Sequence, residues 1–322
     1  MRRPLAVLCA LLVCVALVVP ARAESGENTL IPLGKAVGIK LFADGALVVD
    51  VNEVPAKSSG LQPGDLLLQL NGTRITSTEQ LQSYLQDNGA TPLTVTYQRT
   101  GKVRQCVIAP QQGDDGIYRI GAWVRDSMAG IGTLTYYDPQ TGTYGALGHG
   151  ITDVDTQVLM SLSGGSIMET SVKAVKKGSK GDPGELKGDF TIQRDVGTLE
   201  ANTIGGIFGT MSNCDMINGC KPLPLAEPQL GPATILSTVG GTDTIGYDVE
   251  ILRLYEGQST RNLLLKITDQ RLLDTTGGIV QGMSGSPIVQ NGKLVGAVTH
   301  VLVNDPTQGY GITIENMRNM AG

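Results

Sequence analysis

Ser284 lies in Gly282-Met283-Ser284-Gly285-Ser286-Pro287, a serine among small residues just ahead of the apolar pair Ile288-Val289. These residue types suit a nucleophile turn. Glycine lets a substrate backbone come close and adopts the dihedrals that aim main-chain N–H groups into one hole. A serine hydroxyl needs a base to attack, and imidazole is the usual one. The chain has two histidines, His149 and His300, so the base is one of two residues. His149 stands in Ala146-Leu147-Gly148-His149-Gly150, flanked by glycines that leave room around its ring, and it precedes Ser284 in the chain. His300 follows the next strand directly and reads as a structural histidine. Asp153, Asp155, Asp189, Asp195, Asp269 and Asp274 all lie between His149 and Ser284, and composition does not choose a third member among them.

The elements around the serine narrow the fold. Gly282-Met283-Ser284-Gly285-Ser286 does not complete a GxSxG elbow, which also requires a helix after the serine. Pro287, Ile288-Val289, Asn291-Gly292 and Leu294-Val295-Gly296-Ala297-Val298 read instead as a strand, a turn and a strand. That order fits the serine loop of a trypsin-like double β-barrel, in which the N–H groups of Gly282 and Ser284 would face the oxyanion. Over 111–322 short apolar runs recur between glycines, among them Thr133–Tyr136, Gly206–Phe208, Ala233–Leu236, Val249–Ile251 and Leu263–Ile267. Such runs predict a barrel or sandwich. Lys176 to Gly184 reads as a solvated basic hairpin loop.

Residues 35–110 form a separate module. Strands are predicted at Val37–Leu41, Ala46–Val51, Leu66–Leu70 and Leu93–Tyr97, with a hairpin turn at Asn71-Gly72. Thr78 to Leu85 reads as a helix with Leu81 and Leu85 on one face. Ser59-Gly60-Leu61-Gln62-Pro63-Gly64-Asp65, followed by a strand and Asn71-Gly72, resembles a PDZ domain. Such domains add an extended peptide to a strand and hold its carboxylate on main-chain N–H groups. The resemblance implies that Val37, Gly38 and Ile39 form the carboxylate loop.

The chain has 322 residues, enough for two domains, and 43 of them are glycine against 4% aromatic. A net charge of −5 and a pI near 5.1 argue against nucleic acid as a partner. Arg2-Arg3, the apolar run Leu5 to Val19 and Ala21-Arg22-Ala23 make residues 1–23 a signal peptide or a retained membrane anchor, and either exports the rest. Glu24 to Gly34 reads as a linker. Cys214 and Cys220 bracket a short loop that could close as a disulfide or stay as thiols; the spacing is a poor zinc signal, and no metal or cofactor is expected.

The C-terminal run from Gly278 to Gly311, with Gly148-His149-Gly150-Ile151-Thr152-Asp153, resembles the SpoIVB sporulation peptidases, which share the order leader, linker, PDZ module, peptidase. The resemblance implies a mainly β chain, a PDZ domain followed by a trypsin-like double β-barrel over 111–322. It implies a serine endopeptidase that cleaves itself and a membrane-bound regulator of an intramembrane protease, triggering pro-sigma-K processing from the space between forespore and mother-cell membranes. It implies His149 as base, Ser284 as nucleophile and Asp269 as acid, with Asp274 as the near alternative. The PDZ ligand would be a partner peptide or the chain's own N-terminal region. The competing expectation is a non-catalytic PDZ adaptor on an inert β-domain.

Overall fold

The computed structural model describes residues 28–189, 194–212 and 214–321. The leader at 1–23 and linker residues 24–27 lie outside the described residues. Strand β1 (Thr29–Pro32) pairs with Tyr136 and Tyr137, and Leu30, Ile31 and Leu33 are buried. The expected linker is therefore wrong from Thr29 onward. Its polar start conceals an apolar run, Leu30 to Leu33, that the peptidase core takes up.

Strand β2 (Ala36–Val51) leads into the PDZ module, which continues through α1 (Val54–Ser59), β3 (Leu66–Leu70), α2 (Thr78–Asn88), β4 (Leu93–Arg99) and β5 (Lys102–Ile108). Local chemistry sets each part. Asn71 and Gly72 take left-handed φ values of 46° and 81° to reverse β3. Asp65 is buried, accepts the Gln62 N–H at 2.9 Å and takes both arms of Arg99 at 2.6 Å, closing the Gly64-Asp65 turn. Ser77 caps α2 by accepting from the Gln80 N–H, and Leu81 and Leu85 bury its inner face.

Strand β6 (Ala122–Asp138) pairs with β2 from Ala122 to Thr133. Residues 36–42 of β2 face 127–133 of β6, and after an irregularity 47–51 face 122–125. The ribbon thus runs through both modules, and the expected boundaries at 35 and 110 do not hold. Val37, Ile39 and Leu41 pack in the peptidase core with Leu134, Tyr144 and Ile167. Ile120, Ala122 and Val124 pack in the PDZ core with Leu81 and Leu85.

The first peptidase unit adds β7 (Thr143–Ala146), β8 (Gly164–Glu169), β9 (Ala201–Thr203) and β10 (Gly206–Thr210). The strand order β9-β10-β7-β6-β2-β3-β4-β5 makes one sheet across both modules, so this unit is a half-barrel. The second unit contains β11 (Gly231–Ser237), β12 (Ile245–Leu254), β13 (Leu263–Ile267), α3 (Gln270–Thr276), β14 (Pro287–Gln290), β15 (Lys293–Leu302), β16 (Asp305–Thr313) and α4 (Ile314–Asn319). Its strands close as β11-β12-β13-β16-β15-β14 around Ile235, Val249, Leu265, Ile288 and Val298. The mainly β, two-barrel reading holds, with only the second barrel closed. Cys220 is a free thiol, and the side chain of Cys214 lies outside the described residues.

Candidate active site

The serine turn follows α3. Gly282 takes φ +97°, which an L side chain rarely adopts. The N–H groups around it are almost all used. Gln281 donates to Gly184 O at 2.9 Å, Met283 to Val280 O at 3.1 Å, Gly285 to Val298 O at 2.7 Å and Ser286 to Met283 O at 3.0 Å. Among the described hydrogen bonds, none starts from the N–H of Gly282 or Ser284, the pair expected at the oxyanion. Main-chain donors left free at a turn, next to a serine, are what developing negative charge requires.

Thr133, fully buried on β6, holds this turn from the other unit. Its hydroxyl donates to Gly282 O at 2.7 Å, and its N–H donates to Ser284 O at 3.0 Å. Its own carbonyl accepts from the Leu147 N–H at 3.2 Å, at the start of the histidine turn. One residue therefore ties both turns to one strand. Gly285 is required where they meet, because at φ +98° a Cβ would stand 2.5 Å from Leu147 N.

Leu147 and Gly148 both have φ +68°, which turns the chain after β7 and presents His149 toward the second unit. A Cβ on Gly148 would come within 2.9 Å of Thr299 Cγ2, so the histidine turn packs closely against β15. The loop beyond is anchored by Asn202, which accepts from Ile151 N–H at 2.8 Å and donates to Ile151 O at 3.0 Å. Buried Asp153 pairs with Arg125 of β6, which also reaches Asp155 at 2.9 Å.

His149 Nδ1 lies 2.9 Å from Gly150 O. That contact assigns the proton to Nδ1 and leaves Nε2 as the acceptor, the form a general base needs. Burial lowers the His149 pKa below its ordinary 6.5, and Gly150 O opposes the shift. Ser284 Oγ donates to Thr299 O at 2.6 Å rather than to His149. The neighbouring His300 ring stands 4.7 Å from the His149 ring, tilted by 37°.

Among the described hydrogen bonds, none joins Asp269 to His149. Asp269 is the N-cap of α3, accepting from Arg271 N–H at 2.9 Å, and its other oxygen takes the Arg271 guanidinium at 2.6 Å and Asp248 N–H at 3.2 Å. Arg271 holds its pKa down at about 2. Asp274 is exposed on α3 and accepts from Gln270 at 2.8 Å. As placed, Asp269 caps α3, and neither it nor Asp274 has a described hydrogen bond to His149. Among the described residues, no cluster of three or more His, Cys, Asp and Glu side chains could hold a metal ion.

The peptide-binding reading of Val37, Gly38 and Ile39 is also corrected. These residues lie inside β2, bonded to β6 on one side and β8 on the other, so no strand can be added there. The free strand edge is at Ala122–Val124 of β6, which pairs with β2 alone. It faces α2 across a groove of about 750 Å³ lined by Leu81, Leu85, Ile120, Gly121 and Trp123. Gly121 is needed there, since at φ +79° a Cβ would meet Glu53 Cβ at 2.8 Å. Tyr118-Arg119-Ile120-Gly121-Ala122 carries the same apolar-glycine-apolar pattern as Val37-Gly38-Ile39, and that was the available signal.

A family model described as SpoIVB peptidase S55 matches residues 116–318, and one described as a PDZ domain matches residues 47–99. A putative zinc metalloprotease of Bartonella henselae is 34% identical over 84 residues, 26% of this chain; the chain spans only 23% of that relative's length. The PDZ domain of an SdrC-like protein from Listeria monocytogenes is similar at 25% identity, over 25% of this chain and 87% of that one, with a TM-score of 0.24. The active form of the Rv3671c protease from M. tuberculosis is similar at 15% identity, over 60% of this chain and 73% of that one, with a TM-score of 0.33.

Proposed function

This chain belongs to the SpoIVB peptidase S55 family and is a serine endopeptidase, and from that premise we propose that Ser284 is its nucleophile and His149 its base. Ser284 Oγ turns from Thr299 O to His149 Nε2, which takes its proton as Oγ attacks the scissile carbonyl. The N–H groups of Gly282 and Ser284 receive the oxyanion. His149 then returns the proton to the leaving amine, and water frees the acyl group by the same steps in reverse. The observation that carries the reading is the serine turn, where only these two N–H groups are unspent among neighbours that all donate.

The substrates we propose are the chain's own N-terminal region and a membrane-bound regulator of an intramembrane protease, met outside the cytoplasm during sporulation. Self-cleavage falls before Thr29, because β1 is buried in the sheet. The α2–β6 groove takes an extended peptide as an added strand, with its carboxylate on the N–H groups at Ile120–Ala122. The test is mass spectrometry of the mature chain. Wild type should lose a segment ending before Thr29 that Ser284→Ala retains. Identical N-termini in both would count against self-processing.

A further inference from the structure

We infer that Arg125 is a positioning residue for the catalytic base: from the PDZ side of β6 it clamps the segment that leaves His149, and so sets where the imidazole stands. The inference rests on Ser284 and His149 acting as nucleophile and base. Arg125 faces Leu47 of β2 and directly follows Ala122–Val124, the free edge beside the groove. Its guanidinium forks between Asp153 and Asp155, reaching Asp155 at 2.9 Å. Asp153 is fully buried and is the hub of the segment. Its carboxylate accepts from Thr156 N–H at 2.8 Å, the Thr156 hydroxyl at 3.0 Å and Asp155 N–H at 3.1 Å, while its own N–H donates to Val158 O at 2.9 Å. Burial pushes the Asp153 pKa up, but the Thr156 bonds and Arg125 outweigh it and the net shift is downward, so the group is charged. Without Arg125 that buried charge is uncompensated, and the segment must move to reach water.

Packing alone does not fix this segment. A cavity of about 270 Å³ lies between it and the PDZ module, with Val158, Leu159 and Met160 on one wall and Leu47, Gly64 and Leu66 on the other. Polar ties span the same interface: Arg125 to the two aspartates, Asp44 N–H to Ser161 Oγ at 3.1 Å, and Ser163 N–H to Phe42 O at 2.9 Å. The path from the segment to the base is one residue long. A Cβ on Gly150 would clash with Leu159 Cδ1 and stand 2.5 Å from Thr203 O, so Gly150 is wedged between the clamped segment and β9. Gly150 is bonded to His149, and its carbonyl meets the His149 ring at 2.9 Å. A shift of the segment therefore moves the backbone on which the imidazole stands, and a misplacement of about 1 Å can cost about a hundredfold in rate.

The test is the kinetics of labelling by a fluorophosphonate, which reacts at the serine and needs no peptide in the PDZ groove, together with thermal melts. It compares wild type, Arg125→Ala, the double variant Arg125→Met with Asp153→Asn, Arg99→Ala and Ser284→Ala. The double variant removes the clamp without leaving a buried charge, should Arg125→Ala fail to fold. Arg99→Ala is the matched control, since it strips the partner from Asp65, a similarly buried carboxylate inside the PDZ module. We expect Arg125→Ala and the double variant to lose about tenfold or more in the maximal labelling rate with the Ki of the probe unchanged, because the base is displaced and the site of the probe is not. Arg99→Ala should lower the melting temperature and keep the rate within about twofold. A wild-type rate in folded Arg125→Ala or in the double variant, a loss carried by Ki, or an equal loss of rate in Arg99→Ala would overturn the inference. Labelling that persists in Ser284→Ala would instead overturn the reading beneath it.

Discussion

Thr133→Val changes one atom pair in the strand that ties the two turns together. Thr133 is fully buried, and valine has nearly its shape, so packing is preserved. What is lost is the 2.7 Å bond from its hydroxyl to Gly282 O. Gly282 O then has no described donor, and an unpaired buried carbonyl costs about 1–3 kcal/mol. The turn can relieve that cost by moving, which displaces the Gly282 N–H from the oxyanion. Taken as misplacement of the turn, about 1–3 kcal/mol corresponds to roughly a 5- to 150-fold loss in kcat. KM should stay nearly unchanged, because the interaction lost is one made in the transition state. Thr135→Val is the internal control, on the same strand and equally buried, but with a hydroxyl that has no partner. It should leave kcat alone and raise the melting temperature. Peptide hydrolysis and thermal melts on both variants decide the matter. Equal effects from the two substitutions would refute the assignment of Thr133 as the clamp.

Asp269→Ala should cost about 1–2 kcal/mol of stability as a lost helix cap while peptide hydrolysis continues. Because Arg271 holds the Asp269 pKa at about 2, below its ordinary 3.8, its stabilisation is complete above pH 3.8 and fades as pH falls toward 2. Melts against pH should show that fall in wild type and a weaker one in Asp269→Asn. Trp123, 64% exposed on the free edge of β6, should bind peptide in the groove, and Trp123→Ala should weaken binding about tenfold or more by calorimetry without lowering stability. Ile39→Asp should unfold the chain instead, since it places a charge in the core of a doubly paired strand. The acid limb of kcat/KM in wild type should lie below pH 6.5, because burial lowers the His149 pKa; a limb above 6.5 would mean that a carboxylate supports His149 after all.

The serine turn, the histidine turn and the strands of the second barrel were legible because each is local. A small-residue run before an alternating hairpin has one reading, and two histidines leave little to choose. The helix beginning at Thr78 and the turn at Asn71-Gly72 were legible for the same reason. What the sequence concealed is non-local. A long strand gives no sign of changing modules halfway, so β2 and β6 were each assigned to one side. The Val37-Gly38-Ile39 and Ile120-Gly121-Ala122 patterns are alike in type, and only pairing partners tell a buried strand from a free edge. Asp269 stands close before Ser284 in the chain, yet its carboxylate is spent on α3, because a helix start competes for aspartate as strongly as a catalytic site does.

The proposed function makes Ser284 an activated nucleophile. Incubation with a fluorophosphonate, followed by peptide mapping, tests it most directly, because only a serine with a working base and oxyanion hole reacts readily. One label per chain is expected, on Ser284, with labelling lost in His149→Ala. No label on wild type, or a label on another serine, would contradict it.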